Sequence, residues 1–361
     1  MNNSHTQPSH LTILKPCCIG DLVLTTALLE DIHQFWPDQY LSVLSSSWSI
    51  PVIQYHPAVR KITPFDHPIA PQRHAIPSLL YLVIALRQLH PDLIIVPDRS
   101  PLLSLATYLA RIPERVGLDS AGRGRFYTLR IPPLPRAHEL EQGRQLLHAI
   151  GIPTTSLPRL YWDHEARENA DHLIQQVPSQ QPYYLLAPGG GRNPGMTMAE
   201  KRWSLPSYIE VAHTLVRAGF TVALLGSAAD RPLTTTIKSK VAATLDWTNC
   251  TTLTTIAALA HSAAGFIGND SGVTHIAAAS GCPTVAIFGP TAPELYAPIG
   301  NHVAILAPPS TVPRSGEGTV RNPYRYNQPW QVFVTPSQVV EALETLRSEI
   351  DHRPSSRMNA Q

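Results

Sequence analysis

Three short stretches of the chain bring together residue types that could hold a phosphate or move a proton. The first is Gly268-Asn269-Asp270-Ser271-Gly272, a turn rich in residues that tolerate unusual backbone angles and cap helices. It stands between the apolar run Gly265-Phe266-Ile267 and Val273, Ile276, Ala277 and Ser280, whose i, i+3, i+4, i+7 spacing is helical. Free backbone N–H groups and a helix dipole at such a turn suit a phosphate. Asp270 either caps this helix or contacts a ligand, and His275 within it reads first as a packing residue. The second stretch, Pro188-Gly189-Gly190-Gly191-Arg192-Asn193-Pro194-Gly195, is followed by Lys201-Arg202-Trp203-Ser204. A glycine-rich loop with a lysine behind it can cradle a diphosphate, while a lysine by itself reads as a surface residue. The third runs from Lys15 through Pro16-Cys17-Cys18-Ile19-Gly20 to Asp21. An acidic residue there either complements a helix dipole or serves as a general base.

Each stretch needs a strand before it and a helix after it, and the pattern supplies both. Leu11–Leu14 leads into a helix over Leu22–Phe35, with Leu22, Thr25, Leu28, Leu29 and Ile32 on its buried face. Tyr183–Ala187 leads through the glycine loop to a helix over Pro206–Ala218 that Gly219 ends. Gly281 and Pro283 stop the helix after Gly272, and Thr284–Phe288 reads as the next buried strand. Further strands are expected at Tyr40–Leu44, Leu93–Val96 and Thr221–Leu225, and helices at Ser78–Leu89, Pro101–Ala110, Glu139–Ile150, Leu253–His261 and Ser337–Ser348. Residues 118–137 read as a loop carrying Arg123, Arg125, Arg130 and Arg136, either solvated or in contact with an anionic acceptor. Residues 151–182, rich in proline and polar side chains, read as the linker region. The organisation expected is a disordered 1–10, a first domain over 11–175, a second over 176–335, a closing helix at 336–350 and a disordered 351–361.

Composition narrows the classes. With 361 residues the chain suits two α/β domains, and 43% hydrophobic residues are enough to bury both cores, which excludes a disordered protein. A net charge of +2 with scattered basic residues gives no reason to expect nucleic acid. The polar start MNNSHTQPSH lacks the apolar core of a signal peptide, and the run Ser78–Leu86 is far too short to span a membrane. Cys17, Cys18, Cys250 and Cys282 show neither CxxC spacing nor a disulfide pattern, which suits a reduced cytoplasmic protein with no zinc site. Composition leaves open peripheral contact with the cytoplasmic face of the inner membrane. The second strand ends in Ser45-Ser46-Ser47 without an acidic residue, and neither GxGxxG nor GxxxxGK[ST] occurs. A nicotinamide dehydrogenase and a P-loop nucleotidase are therefore disfavoured.

The string GNDSGVTHIAAASGCPTVAIFGPT closely resembles the signature of glycosyltransferase family 9, the ADP-heptose:lipopolysaccharide heptosyltransferases and their relatives. PGGGRNPG…EKRWSLPSYIEVAHTL resembles that family's phosphate-binding segment, and IGDLVLTTALL its opening, with Lys15 where an arginine is common and Pro16-Cys17-Cys18 in place of a Ser/Ala-type loop. Ser204 replaces a usual proline. The resemblance implies a GT-B fold, two Rossmann-like α/β domains facing a central cleft. It implies transfer of a sugar, heptose in the type members, from a nucleoside-diphosphate sugar to a glycan or lipid-linked glycan of lipopolysaccharide type. On that match Asp21 is the catalytic base. Gly189, Gly190, Lys201, Asn269, Asp270, Ser271, Gly272 and His275 lie on the donor side, with Lys201 on the diphosphate and Asp270 on the donor sugar. Lys15, Gly20, Arg123 and Arg125 lie on the acceptor side. No DxD motif occurs, so a transfer with no metal and no cofactor is expected, and with Asp21 deprotonating the acceptor hydroxyl as it attacks the anomeric carbon the configuration is expected to invert. Two alternatives stand beside it: a silent sugar-nucleotide or glycan-binding module on the same fold, and a sugar-nucleotide epimerase of related fold.

Overall fold

The computed structural model of the protein describes residues 7–66, 75–178, 181–194 and 196–351. The disordered ends expected at 1–10 and 351–361 fall mostly outside them, although His10 already opens the first strand and Asp351 closes the last helix. The chain divides into two compact units, Met1–Tyr161 and Trp162–Gln361.

The first unit runs β1 (His10–Leu14), α1 (Ile19–Phe35), β2 (Tyr40–Ser45), β3 (Val59–Pro64), α2 (Ala75–Leu89), β4 (Leu93–Val96), α3 (Pro101–Leu109), β5 (Glu114–Leu118), β6 (Leu129–Ile131) and α4 (Glu139–His148). Its six strands form one parallel sheet in the order β3-β2-β1-β4-β5-β6. Every residue of Leu93–Val96 is buried, as expected of a central parallel strand covered on both faces. One face of the sheet packs Leu14, Leu44, Ile94 and Val96 against Leu82 and Leu86 of α2 and Leu103 of α3.

The second unit opens with α5 (His164–Ile174) and β7 (Tyr183–Ala187). A two-residue ladder of β8 (Arg192–Asn193) with β9 (Met196–Thr197) follows, then α6 (Leu205–Arg217), β10 (Thr221–Leu224), α7 (Arg231–Lys240) and β11 (Leu245–Asp246). It continues through α8 (Leu253–Ser262), β12 (Gly265–Asn269), α9 (Gly272–Ala279), β13 (Thr284–Ile287), α10 (Pro293–Tyr296) and β14 (Val303–Leu306). A short pair, β15 (Arg314–Ser315) with β16 (Arg325–Tyr326), precedes the last helix α11 (Pro336–Asp351). The main sheet is again six parallel strands, in the order β11-β10-β7-β12-β13-β14. Helix α11 packs on α6 of this unit, and its Val339, Leu343 and Leu346 join the core around Tyr184, Leu186, Ile267 and Val285.

Both sheets reverse strand order beside their first strand: between β1 and β4 in one unit, between β7 and β12 in the other. In such doubly wound sheets a ligand site forms at the carboxyl ends of the strands that flank the reversal. Lys15 follows β1 and Pro97 follows β4; Pro188 follows β7 and Asp270 follows β12. The α/β class expected from the pattern is what the chain forms.

Several elements depart from expectation. Helix α5 lies inside the stretch read as linker, capped by the Asp163 side chain accepting from Ala166 N at 3.0 Å, and it packs on α8. Its buried Ala166, Ala170 and Leu173 keep the helical spacing but offer too little apolar surface to stand out in the sequence. Strand β6 cuts through the stretch read as a basic loop, completing the edge of the first sheet. Cys17 and Cys18 are joined in a disulfide, so the reading of four reduced thiols fails for this pair, while Cys250 and Cys282 are free. Neighbouring cysteines escape any search for spaced pairs.

Candidate functional site

In the second unit the glycine loop, the turn after β12 and the lysine come together. Gly190 and Gly191 adopt φ of 100° and 71°, the left-handed region that favours glycine. A Cβ on Gly190 would lie 2.7 Å from Ser271 Cβ, so the loop passes directly against the start of α9. Asn269, fully buried, ties the parts together: its Oδ1 accepts from Trp203 N at 2.8 Å, and its Nδ2 donates to Pro188 O at 3.0 Å and Gly189 O at 2.8 Å. Its side chain is spent inside the protein, so it braces the loop. Beneath Gly189 sits Asp230, whose Oδ2 accepts from Ser227 N and Ser227 Oγ and whose Oδ1 lies 3.6 Å from Arg202 Nη2.

Ser271 is the N-cap of α9 and makes no side-chain cap bond; its Oγ is 3.1 Å from Thr274 Oγ1, which donates to Asn269 O at 2.6 Å. Gly272 opens the helix beside the loop, in the position where helix N–H groups meet an anion. Asp270 is buried, and its Oδ2 accepts from Lys201 Nζ at 2.6 Å and from Thr291 Oγ1 at 2.5 Å. Lys201 thus stands between the loop and Asp270, its side chain 13% exposed. His275 is buried in α9. Of the expected donor-side residues, Gly189, Gly190, Lys201, Asn269, Asp270, Ser271 and Gly272 gather at the β7–β12 reversal with different local duties, and His275 lies further along α9, buried. Thr291 was missed. It follows the GP of the signature string, and only the fold brings it to Asp270, which stands 21 residues earlier in the chain.

In the first unit Asp21 lies in the first turn of α1, which starts at Ile19, three residues earlier than the pattern indicates. Cys18 is the N-cap, and it offers no side-chain cap bond. The loop before it is pinned by the end of β2: Ser45 Oγ donates to Lys15 O at 2.6 Å and Ser46 Oγ donates to Pro16 O. Lys15 is buried, with Nζ 3.1 Å from Pro97 O, 3.3 Å from Asp21 Oδ2 and 3.8 Å from Asp98 Oδ2. A pocket beside this pair is lined by Thr25 and Leu28 of α1, Pro97, and Glu139 and Gly143 of α4. Gly20 is half-buried next to Asp21. Arg123 and Arg125 are exposed in the turn after β5, two strands along the sheet from β1, with Arg125 4.9 Å over the Phe126 ring. Asp98 was also missed, although an acidic residue just past the end of a buried strand is a signal the pattern contains.

The sequence profile of glycosyltransferase family 9 (heptosyltransferase) matches residues 81–319, more than half of the chain. The chain belongs to glycosyltransferase family 9. This enzyme is a glycosyltransferase, and its curated relatives include the lipopolysaccharide heptosyltransferase 2 of Escherichia coli, 25% identical over 93% of this chain and 98% of that protein. The lipooligosaccharide heptosyltransferase 2 of Haemophilus influenzae is 24% identical over 82% of this chain and 88% of the relative. Among solved structures, the glycosyl transferase family 9 protein of Veillonella parvula superposes with a TM-score of 0.80 at 19% identity, covering 96% of this chain and all 100% of the other. The E. coli ADP-heptose lps heptosyltransferase II superposes with a TM-score of 0.73 at 23% identity, covering 95% and 99%. The family 9 enzyme thus shares the fold of these proteins. Among its described residues no helix is long and apolar enough to cross a membrane.

Proposed function

We propose that this family 9 glycosyltransferase moves a heptose, with inversion and without a metal, from ADP-heptose to a lipopolysaccharide-type glycan at the cytoplasmic face of the inner membrane. The observation that carries the reading is the cluster at the β7–β12 reversal. There a left-handed glycine loop, the start of α9 and the Lys201–Asp270 pair converge. Such a site suits a diphosphate bearing a sugar: backbone N–H groups and a lysine for the phosphates, a carboxylate for hydroxyls. The names of the E. coli and Haemophilus relatives supply the choice of heptose and of a lipopolysaccharide acceptor.

In the reaction the acceptor hydroxyl oxygen attacks the anomeric carbon while the bond from that carbon to the diphosphate oxygen breaks. Asp21 takes the hydroxyl proton, and the nucleoside diphosphate leaves with the bonding electrons. Free aspartate, with a pKa near 4, is a weak base for an alcohol, so proton transfer comes late, after bond formation has acidified the oxygen. Lys201 and the loop amides offset the charge that grows on the leaving group.

The test is thermal unfolding with ADP, GDP, UDP and CDP, each at about a hundredfold over Kd, which adds about 2.7 kcal/mol for a ligand that binds. ADP-selective stabilisation followed by turnover of ADP-heptose with a heptose-deficient lipopolysaccharide acceptor is the expected result. Stabilisation by a different nucleotide alone would remove ADP-heptose as donor, and binding without turnover would favour a silent module.

A further inference from the structure

The resemblance puts Lys15 among the acceptor contacts, but its surroundings give it a different task. Its side chain is 7% exposed, and its ammonium faces oxygens of this chain on three sides: Pro97 O, Asp21 Oδ2 and Asp98 Oδ2. An ammonium has three donors and no acceptor, and here Pro97 O and Asp21 Oδ2 lie within hydrogen-bond reach while Asp98 Oδ2 adds a charge contact at 3.8 Å, so the group is engaged mainly with this chain. Burial by itself would strip the proton from a lysine this deep. Asp21 first, then Asp98 and Glu139, outweigh that burial and hold the Lys15 ammonium well above the usual lysine range.

We propose that Lys15 is the positioning residue for Asp21: anchored on Pro97 O and beside Asp98, it orients the Asp21 carboxylate rather than binding the acceptor. The proposal rests on Asp21 being the base of the reaction. Asp21 needs such an anchor, because its side chain is 33% exposed on the first turn of α1, where the N-cap Cys18 makes no side-chain cap bond. A carboxylate that exposed samples several rotamers, and catalysis loses rate when the base strays by about 1 Å.

The charges around the pair come from three elements. Asp21 comes from α1, and Asp98 comes from the turn after β4. Glu139 comes from α4, where it is itself paired with Arg99 Nη1 at 2.8 Å. Two carboxylates therefore share one ammonium, and this sets opposite signs for two substitutions. Lys15→Met removes the cation and leaves Asp21 beside Asp98 and Glu139, which favours the protonated form. Asp98→Asn removes a negative neighbour and leaves the ammonium to Asp21, which favours the ionised form.

The full chain is labelled with carboxyl-¹³C aspartate, and the Asp21 resonance is assigned by its loss in Asp21→Asn. In Lys15→Met the titration midpoint of that resonance moves to higher pH, the direction that follows from removing a positive charge 3.3 Å away. In Asp98→Asn it moves to lower pH, and in Lys15→Arg, which keeps the charge, it stays within half a unit or so of the wild type. Should Lys15→Met fail to fold, the sign of the Asp98→Asn shift decides alone. An Asp21 midpoint unmoved or displaced in the opposite sense overturns the proposal, as does a raised acceptor KM in Lys15→Arg with the Asp21 titration unchanged. Wild-type turnover in Asp21→Asn would instead overturn the base assignment, and it would leave the titration readable.

Discussion

Asn269 sits in the turn expected to bind a ligand, yet its geometry makes it a brace, and replacing it tests that distinction. Asn269→Leu keeps the branching and the number of side-chain heavy atoms and removes every side-chain hydrogen bond. Trp203 N loses its acceptor, and the carbonyls of Pro188 and Gly189 lose a donor. All three residues are buried, and each unpaired buried polar group costs about 1–3 kcal/mol. The loop is free to move toward water at its glycines, so the lower end applies to each group, and the sum is about 3 kcal/mol. For a unit near 200 residues this corresponds to about 6–12 °C in Tm. Differential scanning calorimetry of the intact chain reads it as a fall in the transition of the second unit with the first unchanged. ADP affinity, read by titration calorimetry, falls with it because the loop no longer holds its left-handed course. Asn269→Asp is expected to be at least as damaging, since a carboxylate supplies no donor to two carbonyls. A Tm within about 2 °C of wild type in Asn269→Leu, with ADP affinity reduced, would refute the bracing argument and make Asn269 a direct ligand contact.

Three further outcomes are expected. Asp21→Ala lowers kcat by roughly 10²–10⁴ while ADP affinity stays within about twofold, and an unchanged kcat in a steady-state transfer assay would remove the base assignment. Lys201→Met weakens ADP by about 10–100-fold, equivalent to one charge-assisted hydrogen bond of about 1.5–3 kcal/mol, as calorimetric titration would read. The Glu30–Tyr161 pair contributes to the stability of the first unit at both ends of the pH range, with the Tyr161 hydroxyl donating to Glu30 Oε1 at 2.7 Å and His56 Nε2 3.2 Å from the same oxygen. Burial acts to raise the Glu30 carboxyl, but the hydrogen bonds from His56 and Tyr161 outweigh it and hold it below the usual carboxylate range. Its stabilisation is therefore present above about pH 4.3 and lost as pH falls through the folded value. Burial, then the Glu30 hydrogen bond, pushes the Tyr161 hydroxyl up to about 12, so stability also declines as pH rises from about 10 toward that value. Urea unfolding of Glu30→Gln across pH is expected to show a shallower acid slope than wild type.

Local pattern was enough for those elements whose neighbours in sequence decide their state. Leu93–Val96 and Tyr183–Ala187 are short runs of apolar residues bounded by prolines or polar residues, and both form strands over those residues. The glycine loop, Lys201 and the turn at Asp270 were legible because left-handed backbone and helix starts demand particular residue types at fixed spacings. Helix α5 and strand β6 were not, since each has little apolar surface of its own and forms because a neighbour, α8 or β5, is there to pack or pair with. The same division runs through the site. Sequence alone determined that Asp21 lies at the start of a helix and that a glycine-rich loop follows β7. Only the tertiary structure decided which side chains face them: Asp98 meets Lys15 because parallel pairing sets the end of β4 beside the end of β1, and Thr291 meets Asp270 because β13 lies next to β12. Such pairs are chosen by strand order and register, which the long-range burial of two sheets fixes and no local spacing records.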